Sequence, residues 1–368
     1  MARTLGLPRC LLRSCGVAVI AALTLATAPG STSAAGGGVR IWPISYVASN
    51  GVERRAYVIL PAWYGPERNP PVPTVISPHG RGGNGLANSR FWGDLPARGS
   101  FAVINPDGMG RVFARFSYGY AGQIDDLARM PEAASSALPW LRVDRNRIYA
   151  LGTSMGGQET LLLVSRHPDL LAGAVAMDSV TDLARRYRQL PRVPCNGECR
   201  ARWGQPFGRV LQATLRREVG GTPELHGDAY ANRSPSAQAR QIAHAGVPLQ
   251  LWWSSRDQIV FDQEHQSVLL ARELERLGAV APIVTYAGTW RHSQEMWAGS
   301  LLPVALTGLG LLHDFPGVPD GNYEGRCVPT AGLSGIPRLI ATGLECRSVE
   351  PRPQATALEE EATRSDGR

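Results

Sequence analysis

The chain predicts an α/β fold, a mostly parallel sheet with helices on both faces, and three observations lead there. Short apolar runs of strand length alternate with stretches of helical spacing between residues 74 and 286. One run, Arg147-Ile148-Tyr149-Ala150-Leu151, passes directly into Gly152-Thr153-Ser154-Met155-Gly156-Gly157 and then into apolar residues 158–164. The residues richest in chemistry fall just after strand runs, where an open parallel sheet keeps its sites.

Each element has its own signal. Residues 41–48 and 54–60 read as two strands joined by the turn Ser49-Asn50-Gly51. A proline-rich loop covers 61–73. Strand 74–77 runs into Pro78-His79-Gly80-Arg81-Gly82-Gly83, and 101–105 is the next strand. Helical spacing over 123–140 is carried by Ile124, Leu127, Met130 and Leu138. The strand before Ser154 follows, then strand 172–177, which ends at Asp178. Residues 249–253 form a strand leading to Ser254-Ser255-Arg256-Asp257. Residues 263–277 form a helix with Leu269, Leu270, Leu274 and Leu277 on one side and Gly278 as its stop. Strand 282–286 is the last, and loop 287–292 ends at His292. No internal repeat is present.

The ends of the chain have a different character. Arg3, Arg9 and Arg13 precede the apolar segment 16–28, and small residues follow through Ala34 and Ala35. That is the layout of a secretory signal over residues 1–35, and its apolar run is too short for a membrane span. An exported protein without a spanning segment is therefore expected. Its catalytic domain is expected over 36–315, with an insert at about 179–230. Residues 316–368 form an extension ending in the charged tail Glu359-Glu360-Glu361. Subtracting the three signal arginines from the formal charge of +7 leaves +4. Every basic residue is arginine and acids are interspersed, so composition gives no sign of a nucleic-acid partner. Beyond the signal, Cys195, Cys199, Cys327 and Cys346 remain. Four cysteines allow three pairings, of which the local one, 195 with 199 and 327 with 346, is preferred over a zinc site because no histidine lies beside either pair.

Glycines at 152 and 156 allow a turn so tight that any larger side chain would clash, and the serine at its apex is pushed out above the sheet edge. A serine hydroxyl attacks poorly without a base, and imidazole titrates near working pH. A carboxylate then fixes the imidazole tautomer. His292 lies after the last strand and later than the acid, so it is the candidate base. Asp257 is the candidate acid, with Asp262 and Asp178 as competitors. A tetrahedral oxyanion needs waiting donors. The Met155 N–H is one, and the N–H of Gly80 or Arg81, freed by glycines at 80, 82 and 83, is the other. No metal or cofactor is required. Nine arginines between 185 and 217 suggest either an acidic substrate or a solvated basic face, and the latter is preferred. Phe91, Trp92, Trp252, Trp253, Trp290 and Trp297 fall near the motif loops and fit core filling better than a pocket.

With these residues in place the chain resembles the α/β-hydrolase superfamily and, more narrowly, the catalytic domain of the prolyl oligopeptidase family. The similarity covers about 147–310 and is carried by Gly152-Thr153-Ser154-Met155-Gly156-Gly157 and by residues 167–176. Asp228-Ala229-Tyr230 with Arg233-Ser234-Pro235, Asp257-Gln258-Ile259-Val260 and residues 286–292 complete it. The resemblance implies an α/β-hydrolase fold and a serine hydrolase. Two departures steer it from peptidases. There is no room before residue 74 for that family's β-propeller. The loop 79–83, with residues 56–61 and Pro106-Asp107-Gly108, is more similar to secreted feruloyl-esterase and polyester-depolymerase relatives. The expectation is a secreted hydrolase of small or polymeric carboxylic esters. A peptidase is the alternative, and a non-catalytic binding module would require damage at 154, 257 or 292.

Overall fold

The computed structural model describes residues 38–193, 200–201, 207–299 and 301–313, and the backbone of the strands at 323–328, 337–340 and 343–346. The signal segment, Cys195, Cys199 and the acidic tail lie outside the described residues. Cys327 and Cys346 lie in strands described by backbone alone.

All the predicted strand runs join one sheet. They are β1 (Val39–Val47), β2 (Glu53–Pro61), β3 (Val72–Ile76), β4 (Ala102–Pro106), β5 (Val143–Thr153), β6 (Gly173–Met177), β7 (Leu249–Ser254) and β8 (Ile283–Gly288). A further strand, β9 (Tyr323–Val328), makes nine, in the order β1-β2-β4-β3-β5-β6-β7-β8-β9. Strands β3 to β8 pair in parallel. Strands β1, β2 and β9 add antiparallel edges. The run at 282–286 is thus not the sheet's last strand. The Glu-Gly-Arg interruption in β9 hides its strand character.

Period-two alternation divides the interior into two cores. Ile76, Ile104, Ala150 and Ala174 enter one cluster, while their neighbours Val75, Val103, Leu151 and Val175 enter the other. Strands β3, β4 and β6 are buried at every position. This is why they read as continuous apolar runs rather than alternating ones. Leu161, Leu162, Leu163 and Val164 of the helix Met155–Arg166 belong to the first core. The helix Leu302–Gly308 closes the second.

Two predicted helices are broken. Residues 123–140 form Ala121–Ala128 and Met130–Ala137, with Arg129 between them. Pro131 lies in the first turn of the second helix, where its missing N–H costs nothing; in one continuous helix it would break the ladder. Residues 263–277 begin as a 3₁₀ turn, Gln263–His265, and become α-helical only over Ser267–Arg276. Among the described residues no helix is long and apolar enough to cross a membrane.

The topology positions the site. The chain steps from β3 to β4 on one side, then crosses to β5 on β3's other side. Loops leaving β3 and β5 therefore meet at a switch point on the sheet's C-terminal edge. The insert covers that edge. Leu183, Leu190, Leu211, Leu215 and Tyr230 form a third apolar cluster that includes Met155 and Val260. Buried Glu218 ties the insert down, accepting from Val112 N at 2.8 Å, Phe113 N at 3.1 Å and Arg233 Nη1 at 3.3 Å.

Candidate active site

Ser154 occupies a strained, positive-φ backbone conformation (φ 59°, ψ −121°) between β5 and the helix Met155–Arg166. Few non-glycine residues accept such an angle, so the surrounding packing must hold it. A Cβ at Gly152 would stand 2.5 Å from the Gly156 carbonyl group, and one at Gly156 would stand 2.3 Å from Pro78 O. The second contact also shows that the loop after β3 lies directly against the turn. Ser154 N donates to Met177 O at 2.8 Å, which fastens the apex to β6.

His79 shapes the adjoining loop and takes no part in the base position. Its Nδ1 lies 2.7 Å from Gly80 O, and its Nε2 accepts from Gly108 N at 2.9 Å. The proton is thereby assigned to Nδ1. Burial holds its pKa below the ordinary value, which keeps the ring neutral. Because Gly80 O also accepts from Gly83 N, that carbonyl is directed into the loop. Across a trans peptide the Arg81 N–H points the opposite way. This orientation favours Arg81 over Gly80 as the loop's free donor.

Asp257 and His292 come together. His292 Nδ1 is 2.8 Å from Asp257 Oδ2, with the carboxylate side chain fully buried and the imidazole 16% exposed. Asp257 Oδ1 accepts from Ile259 N and Val260 N, both at 2.8 Å. Burial pushes its pKa up, but the His292 hydrogen bond and charge, with these two N–H groups, outweigh that and hold it below the ordinary value. An acceptor at Nδ1 leaves Nε2 as the basic nitrogen. Ser154 and His292 are not themselves hydrogen-bonded among the described residues. Their loops are joined one residue along on each side, by Thr153 Oγ1 and Ser293 Oγ at 3.1 Å. Apo sites often leave this bond to be completed on substrate binding.

The competing acids have other duties. Asp262 bonds His265 at 2.5 Å and Gln189 at 2.6 Å. Asp178 does not hydrogen-bond the imidazole, although ligand atoms of Asp178, Asp257 and His292 lie within 4.8 Å of one another. Its carboxyl accepts from Ser254 N at 2.9 Å, Trp290 Nε1 at 3.0 Å and Ser293 N at 3.3 Å. Asp178 therefore braces both loops, the one bearing the acid and the one bearing the base.

Sequence reasoning missed Glu295. It is fully buried three residues past His292 and accepts from Thr153 Oγ1 at 3.0 Å. Burial pushes its pKa up to about 8, and burial with the charges of Glu295 and Asp257 raises Asp178 well above the ordinary range. Of three neighbouring carboxyl groups, ionisation is thus favoured at the one on the histidine and disfavoured at the other two. Only a composition signal, a carboxylate inside an aromatic loop, was available to find it. The fold stabilises neutral Glu295, a contribution complete below its ordinary value of 4.5 and lost as pH rises through about 8. Glu295→Gln is accordingly expected to lessen the decline in stability across that window, measured as denaturant midpoints at a series of pH values.

The aromatic residues near the motifs are mostly structural. Trp92, Trp252 and Trp290 are buried, and Trp252 stacks on Tyr286 at 3.9 Å. The recess beside Ser154 is lined by other residues, among them Arg81, Tyr118, Met155 and Arg186.

A mostly parallel sheet with a serine turn at its switch point defines the class: the chain has the α/β-hydrolase fold. Within that class, residues 101–193 match the prolyl oligopeptidase family. No curated protein sequence matches the chain. Among solved structures it is similar to fluorophosphonate-binding serine hydrolase F of Staphylococcus aureus, with 18% identity, a TM-score of 0.52, and coverage of 74% of this chain and 99% of that one. It is also similar to the acylaminoacyl peptidase of Pyrococcus horikoshii. In one crystal form the identity is 17% and the TM-score 0.51, covering 70% of this chain and 38% of that one. In the uncomplexed structure they are 18% and 0.52, covering 76% and 43%. The chain thus spans about two fifths of the length of that peptidase.

Proposed function

We propose that this is an exported carboxylic-ester hydrolase that works through an acyl-enzyme on Ser154. Ser154 Oγ bonds to the ester carbonyl carbon while its proton passes to His292 Nε2. Asp257 holds the imidazolium and fixes its orientation. The N–H groups of Met155 and of the 80–81 loop, Arg81 foremost, receive the oxyanion. The carbon–oxygen bond to the alcohol then breaks, and His292 returns the proton to the departing alkoxide. Water, deprotonated by the same imidazole, attacks the acyl-enzyme, and Ser154 recovers its proton as the acid leaves.

The observation that carries this reading is the 2.8 Å contact between Asp257 and His292, on a loop fastened to the serine turn. Esters are favoured because the 79–83 loop is similar to that of secreted esterases and has its histidine committed to structure. Export rests on the character of residues 1–35, and the four later cysteines suit the oxidising compartment it leads to. The similarity of 101–193 to a peptidase family supports peptide hydrolysis as the second reading. A fluorophosphonate probe tests the first. Wild type is expected to take one label at Ser154, and Ser154→Ala none. Equal labelling of both, or none of wild type, overturns the reading. Turnover of an aryl amide as fast as its matched ester would favour the peptidase instead.

A further inference from the structure

Two guanidinium groups flank Ser154 with no carboxylate between them. Arg81, from the loop after β3, and Arg186, from the insert helix Leu183–Gln189, line the recess that also contains Tyr118, Ser154 and Met155. Arg186 is only 3% exposed. Its Nη1 and the Tyr118 hydroxyl are both shielded from solvent, and neither has a hydrogen-bond partner among the described residues. Neither arginine joins an ion pair there; each instead lies over an aromatic ring, Arg81 over Phe207 at 5.6 Å and Arg186 over Phe261 at 5.8 Å. Burial and the neighbouring Arg81 charge push the Arg186 pKa down to about 10. Among the described residues the carboxylate whose charge acts on Arg186 is Asp257, whose oxygens are already taken by His292, Ile259 and Val260.

A buried cation without a partner is costly, and structures tolerate one chiefly where a ligand supplies the counter-charge. Buried Arg233, by contrast, is matched by Glu218. Planar guanidinium forks suit the two oxygens of a carboxylate, and Tyr118 adds a neutral donor. Met155 and Val260 supply apolar walls beside them.

We infer that the esters turned over at Ser154 carry a carboxylate, gripped by Arg186 and Arg81 with the Tyr118 hydroxyl. This rests on the acyl-enzyme reading above and adds the substrate's charge to it. The acid group belongs either to the acyl half or to the alcohol half, and both present the same chemistry to the recess.

Matched ester pairs decide the matter in wild type. Monomethyl glutarate against methyl valerate tests the acyl half, and carboxymethyl butyrate against propyl butyrate tests the alcohol half. In at least one pair the acid is expected to show kcat/KM about tenfold or more above its neutral partner. Arg186→Met is expected to bring that ratio down about tenfold, to near one, whatever becomes of the neutral ester. A neutral preference in both pairs, or a ratio untouched by the variant, overturns the inference. A readout independent of turnover and of the variant is protection of Ser154 from the fluorophosphonate. Glutarate is expected to protect at about a tenth of the concentration that glutaramide needs, and equal protection overturns the inference. A wild type that is labelled and indifferent to charge leaves the hydrolase intact and removes only the anionic substrate. A wild type that neither takes the label nor cleaves any ester removes both.

Discussion

Ser154→Ala is expected to lower kcat/KM for ester substrates by about 10⁴-fold or more, His292→Ala by a similar factor, and the double variant by no more than either alone. The reason is that the two side chains act as one unit. Without a base the hydroxyl keeps its proton, and without the hydroxyl the base has no proton to take. The residual rate should come from the N–H donors at Met155 and the 80–81 loop, since Gly156 still packs against Pro78 O in all three proteins. Steady-state kinetics on a single activated ester, with thermal melts to show that each variant is folded, make the comparison. Additive losses would mean that Ser154 and His292 serve different steps, and the shared proton path would have to be abandoned.

The serine turn was legible in the sequence because its constraint is local. Glycines at 152 and 156 are demanded by backbone atoms 2.5 and 2.3 Å away, and no substitute satisfies both contacts. The placement of residues 154, 257 and 292 on loops at one rim was legible because every parallel strand ends on the same edge. What lay hidden was long-range. Asp178 was weighed as an acid, yet its partners Ser254, Trp290 and Ser293 come from chain segments about 75 to 115 residues away. The aromatic loop around Glu295 hints at burial, but nothing local tells that folding sets it beside Asp178. The arginine-rich insert read as a solvated face, and for Arg185 and Arg188, paired with Asp262 and Glu224, that reading fits. Arg186 is the departure. Helical geometry turns it inward toward Ser154, and one position in a run of similar residues carries no mark of its own in the sequence.

Asp257→Asn and Asp178→Asn are expected to separate sharply, and this pair assigns the acid. Asp257 is the carboxylate on His292 Nδ1, held ionised by that contact and by two backbone N–H groups. An amide at 257 can offer its oxygen to Ile259 and Val260 only by presenting its NH₂ to Nδ1. The imidazole must then carry its proton on Nε2, the nitrogen that has to receive the serine proton. A loss in kcat of about 10⁴-fold is the expected result, with little change in folding. Burial and the neighbouring acids disfavour charge on Asp178, and it makes no hydrogen bond to the imidazole, so asparagine there leaves the tautomer alone. Its oxygen can still accept from Ser254 N, while the donors at Trp290 and Ser293 lose an acceptor. The expected effect is a lower melting temperature and about a tenfold or smaller loss in kcat, since one or two braced contacts slacken without altering the tautomer. The reverse ranking, with Asp178→Asn the more damaging to kcat in a folded protein, would transfer the acid's role to the strand after the serine helix.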